Sequence, residues 1–182
     1  GCTASQTQTV NVNALPTVAF SGLASEYCVD APQVTLTGFP SGGSFSGTGI
    51  SGNNFDPGAA GVGGPYNITY TYTDADGCTN TEVQQVTVNP LPTVSFSGLN
   101  SAYCINAGPV TLSGSPSGGT FTGTGISGNT FYPSVAGVGG PYTITYTYTD
   151  GNGCVNSSTQ QVTVNDLPTV SFSGLAAEDC VD

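Results

Sequence analysis

The stretch Gly139–Cys154 reads GGPYTITYTYTDGNGC. Its centre places Tyr142, Ile144, Tyr146 and Tyr148 on one side and Thr143, Thr145, Thr147 and Thr149 on the other. Strict period-two alternation is the pattern of a strand with one buried face. Tyrosine and threonine both favour that geometry, so the tyrosines are expected in a core and the threonines in water. TDGNG, from Thr149, is hairpin-turn chemistry, and the returning strand STQQVTVN carries Val162 and Val164 inward. The approach AGVGGPY fits a tyrosine corner, in which the Tyr142 hydroxyl bonds back to the preceding turn.

The same sentence is written earlier, as GGPYNITYTYTDADGC at Gly63–Cys78. LPTVAFSGL at Leu15 returns as LPTVSFSGL at Leu91 and Leu167, GTGISGN begins at Gly47 and Gly123, and QQVTVN begins at Gln84 and Gln160. Every step is 76 residues. Residues 15–90 and 91–166 align without a gap, with 53 of 76 positions identical. A period this long suits a small domain rather than a solenoid coil, where repeats run to about 20–50 residues. Residues 1–14 match the end of a unit and 167–182 match the start of one. The expected organisation is therefore the C-terminal strand of a preceding repeat (1–14), two whole repeats (15–90 and 91–166) and the N-terminal part of a following repeat (167–182), within a longer natural protein.

Within the second repeat, TVSFSGL turns Val94 and Phe96 to one face, and PVTLSG turns Val110 and Leu112 inward. GGTFTGTGI and GNTFYP read as short strands separated by Ser-Gly-Asn turns. No i, i+3, i+4 helical pattern occurs, so the fold class is all-β: tandem antiparallel β-sandwich domains.

Composition narrows the chemistry. The 182 residues carry 11 acidic side chains, no Lys, Arg or His, and a net charge of −11. Without imidazole or amine bases, Ser-His-Asp, Cys-His and Ser-Lys catalysis are unavailable. Without cations, nucleic acid is a poor partner and an anionic membrane repels the chain. No apolar run is long enough to insert in a membrane as a helix.

SGTGISGNxFxP, AGxGGPYxITYTYTDxxGC and QQVTVN together resemble the Ig-like or PKD-like repeats of giant type IX-secreted surface proteins of Bacteroidota, among them SprB-like gliding adhesins and CHU-type large proteins. The resemblance spans the whole chain. It implies Ig-like domains in a rod-like array, type IX secretion, an extracellular cell-surface location, and a stalk or adhesive fibre.

Six cysteines fall in two series, Cys2, Cys78, Cys154 and Cys28, Cys104, Cys180, each stepping by 76. No CxxC spacing and no histidine is present, so disulfides are expected rather than a zinc site. Two pairings stay open. Within repeats the bonds are Cys28–Cys78 and Cys104–Cys154. With an odd number of strands, however, the two cysteines of one repeat lie at opposite ends, about 25 Å apart. A disulfide spans no more than about 7 Å between Cα atoms. The bond then becomes Cys28–Cys154, between repeats. In either case Cys2 and Cys180 pair with residues outside the segment.

Other candidates have plain alternatives. Asp74 and Asp76, matched by Asp150 and Asn152, could hold calcium, although DxDG is only a fragment of a calcium loop and turn chemistry explains it equally. The threonine rows could form a flat ice- or carbohydrate-binding face, or simply be exposed strand positions. Tyr132 could stack on a sugar, or cover a strand end. A glycosidase needs two carboxyl groups about 5–10 Å apart. Asp30 and Asp56 become Asn106 and Tyr132 in the second repeat, so one unit would be dead. Asn67 and Asn156 have the form of glycosylation sequons.

The chain is thus expected to be no enzyme, but a structural repeat of a very long secreted adhesin or filament, a disulfide-stapled stalk for attachment, gliding or cell contact. Its partners are neighbouring repeats. The alternatives are a building block of a multi-chain homo-oligomeric appendage, which would bring identical chains together, for instance in prey capture, and a repeat module that binds surface polysaccharide or another cell by avidity. No cofactor beyond the calcium candidate is expected.

Overall fold

The computed structural model describes residues 1–174; residues 175–182, Cys180 among them, lie outside the described residues. Contacts divide the chain into two units, Gly1–Leu91 with Asn152–Cys154, and Pro92–Gly151 with the chain from Val155 on.

The first unit holds β1 (Ala19–Ser21), β2 (Glu26–Cys28), β3 (Val34–Thr35), β4 (Thr37–Phe39), β5 (Ser44–Ser46), β6 (Ile50–Ser51), β7 (Asn54–Phe55), α1 (Pro57–Ala60), β8 (Gly63–Thr73) and β9 (Thr79–Asn89). These form a four-stranded sheet β2-β9-β8-β5, a three-stranded sheet β3-β7-β6 and a β1-β4 pair. One core draws on all three: Phe20, Leu36, Phe55, Ile68, Tyr70, Val86 and Val88. Facing sheets that share a core make a β-sandwich. Each fully buried side chain contributes about 1.5–3 kcal/mol by leaving water.

The second unit repeats this with β10 (Ser95–Ser97), β11 (Ala102–Cys104), β12 (Val110–Thr111), β13 (Ser113–Ser115), β14 (Thr120–Thr122), β15 (Ile126–Ser127), β16 (Thr130–Phe131), α2 (Pro133–Ala136), β17 (Gly139–Thr149) and β18 (Val155–Asn165). Its sheets are β11-β18-β17-β14, β12-β16-β15 and β10-β13. Its core is Phe96, Leu112, Phe121, Phe131, Ile144, Tyr146, Val162 and Val164.

The long hairpins follow from the alternation. Ile144 and Tyr146 are buried, and Val162 and Val164 close the core from β18. The register shifts between Gly139 and Tyr142 where β17 meets β18. Gly140 has φ +115, and a Cβ there would stand 2.9 Å from the Val162 carbonyl oxygen, so GGPY marks a bulge that needs glycine. The Tyr142 hydroxyl donates to Gly137 O at 3.4 Å and that of Tyr66 to Gly61 O at 3.3 Å, the turn-back bond of a tyrosine corner.

Four features depart from the sequence reading. The sandwich is not wholly antiparallel: β2 runs parallel to β9, and β11 parallel to β18. After β1 pairs with β4, the chain crosses to the other sheet at Gly22–Ser25, and the Tyr27 hydroxyl accepts from Ala24 N at 2.8 Å to fix the crossover. Three-residue strands show no alternation long enough to read. Helices also exist, one turn each, too short for an i, i+4 pattern. Thr145 and Thr147 are half-buried rather than wet, because β14 and β18 flank them. Finally, residues 1–14 carry no strand and are exposed. Their counterparts 77–90 lie along YNITYTYT of β8 in the first unit. Val170 and Phe172, counterparts of Val94 and Phe96, are likewise 85% and 84% exposed.

The short helices give a prediction. Asp56 caps α1, its Oδ1 accepting from Gly58 N at 2.9 Å and Ala59 N at 3.2 Å. Tyr132 caps α2 in similar backbone geometry without a side-chain bond. Asp56→Ala is expected to cost the first unit about 1 kcal/mol, and Tyr132→Asp to stabilise the second by a similar amount, read as opposite shifts in urea midpoint.

Candidate functional site

The strongest chemistry in the chain lies at its cysteines. Cys28 ends β2 opposite Asn89, with Val29 N donating to Asn89 O at 2.9 Å and Ala31 N to Cys28 O at 3.0 Å. Cys154 lies at the tip of the β17–β18 hairpin and is fully buried. The two are joined in a disulfide with Cα atoms 5.5 Å apart and a sequence separation of 126. The tip Asn152–Cys154 groups by contact with the first unit. Cys2 and Cys104 are free and exposed, and Cys78 is free and half-buried. The within-repeat bonds Cys28–Cys78 and Cys104–Cys154 are therefore not those formed here; one cysteine of each pair is already engaged elsewhere.

The acidic turn serves the hairpin. Asp74 Oδ1 accepts from Asp76 N at 3.0 Å and Cys78 N at 2.8 Å, and Gly77 N donates to the Asp74 carbonyl at 3.1 Å. One carboxylate oxygen is thus committed to the turn that presents the cysteine. Among the described residues no group of three or more His, Cys, Asp or Glu side chains is placed to hold a metal. A calcium titration followed by melting temperature separates the two readings: an unchanged value fits a turn alone. A rise that Asp74→Ala abolishes would make this loop a cation site instead.

The remaining candidates are placed as follows. Asp56 is the α1 cap, Asp30 is exposed, and Tyr132 is a half-buried cap residue. Asn67 sits in β8, where its Oδ1 accepts from Gln85 Nε2 at 3.0 Å. Asn156 donates to Pro92 O at 2.8 Å, tying the head of its unit to β18. The threonines line up across strands: Thr122 and Thr159 flank Thr145, and Thr120 and Ser157 flank Thr147. This gives an uncharged hydroxyl face on the second unit; in the first unit Val83 stands in place of Thr159.

A shallow cleft recurs in both units and was not foreseen. One, about 240 Å³, is lined by Leu36, Gly38, Gly43, Phe45, Asn53 and Tyr70 among others. Its counterpart, about 170 Å³, is lined by Leu112, Gly114, Gly119, Phe121, Asn129 and Tyr146 among others. No charged residue lines either. The Tyr70 hydroxyl is occupied, accepting from Gly43 N at 2.9 Å and donating to Pro40 O. The paired glycines of PSGG were the available signal, since they leave the backbone uncovered over a buried ring.

No protein-family model matches the chain, and no curated protein matches it. Among solved structures it is similar to one titled "Ca²⁺-stabilized adhesin helps an Antarctic bacterium reach out and bind ice", at 17% identity and a TM-score of 0.44, over 85% of this chain and 50% of that one. The chain spans about half the length of that solved chain. The calcium and ice in that title belong to that protein. No helix among the described residues is long and apolar enough to cross a membrane.

Proposed function

We propose that the chain is a structural segment of a long secreted surface adhesin or filament, a stalk whose repeats are stapled by disulfides. The observation that carries this reading is the Cys28–Cys154 bond, which joins cysteines belonging to successive copies of one 76-residue sequence. Tension applied at the ends then passes through a covalent bond, and the residues enclosed by it cannot extend until it breaks. Such a device serves load rather than catalysis. A stable disulfide also belongs in an oxidising, extracellular setting. The side chains fit the same purpose: cores of Phe, Tyr, Val and Ile, and no basic residue to act on a substrate.

Antibody raised against this segment tests the reading on cells that carry the protein. A stalk places label along surface filaments at many positions. Label confined to filament tips would point to a binding module, and protein found only free in the medium would remove the stalk. The hydroxyl face of the second unit favours binding as a second reading, with polysaccharide as the ligand.

A further inference from the structure

We propose that Cys104 and Cys78 are complementary halves of the same junction, each taking its partner from a second copy of this repeat: Cys104 a hairpin-tip cysteine, Cys78 a strand-end cysteine. The inference rests on the stapled-repeat reading and extends it to two of the three free thiols, those that lie within whole repeats.

The backbone around each of these two thiols already has the form seen around a bonded one. Cys104 ends β11 opposite Asn165, as Cys28 ends β2 opposite Asn89. Ile105 N donates to Asn165 O at 2.9 Å and Ala107 N to Cys104 O at 2.9 Å, matching Val29 and Ala31 around Cys28. Cys78 precedes β9 as Cys154 precedes β18, after Gly77 at φ +82 and Gly153 at φ +81. Four cysteines thus occupy two backbone settings, and the bond found among the described residues joins a strand-end to a hairpin tip. Applying its separation of 126 to Cys104 and Cys78 leads to positions outside 1–182 in both cases. The partner must be another repeat, and Cys78 of one chain is the type of cysteine that Cys104 of another requires.

The step is an oxidation of two thiols by a disulfide oxidant such as glutathione disulfide. Cys104 and the second copy's Cys78 lose two protons and two electrons and form one S–S bond; the oxidant's S–S bond breaks and yields two glutathione thiols.

Complementation tests the pairing. Two chains are made in a Cys2→Ser, Cys180→Ser background, one also Cys78→Ser and the other also Cys104→Ser. Each is oxidised alone and mixed, in concentrated solution with a glutathione redox buffer. Links are read by chymotryptic mapping without reduction, since Tyr, Phe and Leu separate all four cysteines and trypsin has no site. The expected result is a Cys78–Cys104 heterodimer in the mixture, far above the twofold excess over each homodimer that random pairing gives, with little dimer from either chain alone. Homodimers in the random ratio, no link at all, or a Cys78–Cys104 bond within single chains when both thiols are restored would overturn the proposal. The Cys28–Cys154 peptide in the same digest reports folding. Its absence would sink the stapled stalk, whereas failure of the Cys78–Cys104 link alone sinks only this inference.

Discussion

Replacing Cys28 and Cys154 together by serine is expected to lower stability toward full unfolding by about 5 kcal/mol. The bond closes a loop with a sequence separation of 126. In the chain-entropy account, a closed loop restricts the unfolded ensemble by an amount that grows with the logarithm of its length. Two units do not unfold in one step, so the effect is read as displaced urea transitions rather than as a single free energy. With a slope of about 2 kcal/mol per molar, the displacement summed over the transitions is about 2–3 M. Cys78→Ser with Cys104→Ser is the control. Both residues are free in this chain, so their replacement leaves the midpoints where they are. Equal losses from the two double variants would mean that the staple contributes nothing specific.

Gly114→Ala is expected to cost about 3 kcal/mol or more in the second unit, read as an earlier urea transition with the first unit unaffected. A Cβ at this position would stand 2.0 Å from Cζ of Tyr146, far inside contact distance. Overpacking of this kind costs about 1–3 kcal/mol when neighbours can shift, and more when they cannot. Here the ring is held. The Tyr146 hydroxyl accepts from Gly119 N at 2.8 Å and donates to Pro116 O, while Phe121 packs on the ring at 4.5 Å between centroids. Phe121 in turn meets Phe96 edge-on at 5.3 Å. Shortening the ring in the double variant Gly114→Ala, Tyr146→Leu relieves the clash, so the pair should cost less than the sum of the single changes. Additive losses would show that ring and glycine are not opposed as described. The same contact joins Gly38 to Tyr70 in the first unit, so Gly38→Ala serves as an independent repeat of the measurement.

The all-β class and the buried faces of the long strands were legible in the sequence because alternation over eight or more residues has one physical cause. Ile144, Tyr146, Val162 and Val164 are buried as their spacing requires. Short elements escape that logic. Glu26–Cys28 and Ala102–Cys104 join their sheets in parallel through three residues each, held by bonds such as Thr87 N to Ser25 O at 2.9 Å. Nothing local in SEYC distinguishes a parallel partner from an antiparallel one. The head segment is a similar case. Val94 and Phe96 turn inward as read, but only Ser95–Ser97 forms a strand, and Gln160 Nε2 holds it from the side by donating to Phe96 O at 2.7 Å.

The candidate site was legible in part. Six cysteines in two series of period 76 pointed to disulfides, but spacing alone allowed two pairings. The choice depends on where a strand end and a hairpin tip come to lie, which is a property of the whole fold. Asp74 shows the opposite limit. DADG carries the residues of both a turn and a calcium fragment, and spacing does not reveal that the Oδ1 of Asp74 faces two backbone N–H groups.

The central claim is that load passes through one bond joining successive repeats. Single-molecule pulling from the two ends tests it directly, with and without a reductant. Oxidised chains should yield only the residues outside Cys28–Cys154. Reduction should then release the enclosed separation of 126 as a single hidden length, about 440 Å at roughly 3.5 Å per extended residue. Two separate hidden lengths of about 170 Å each, or none, would mean that the repeats are closed individually or not at all, and the stapled stalk would fall.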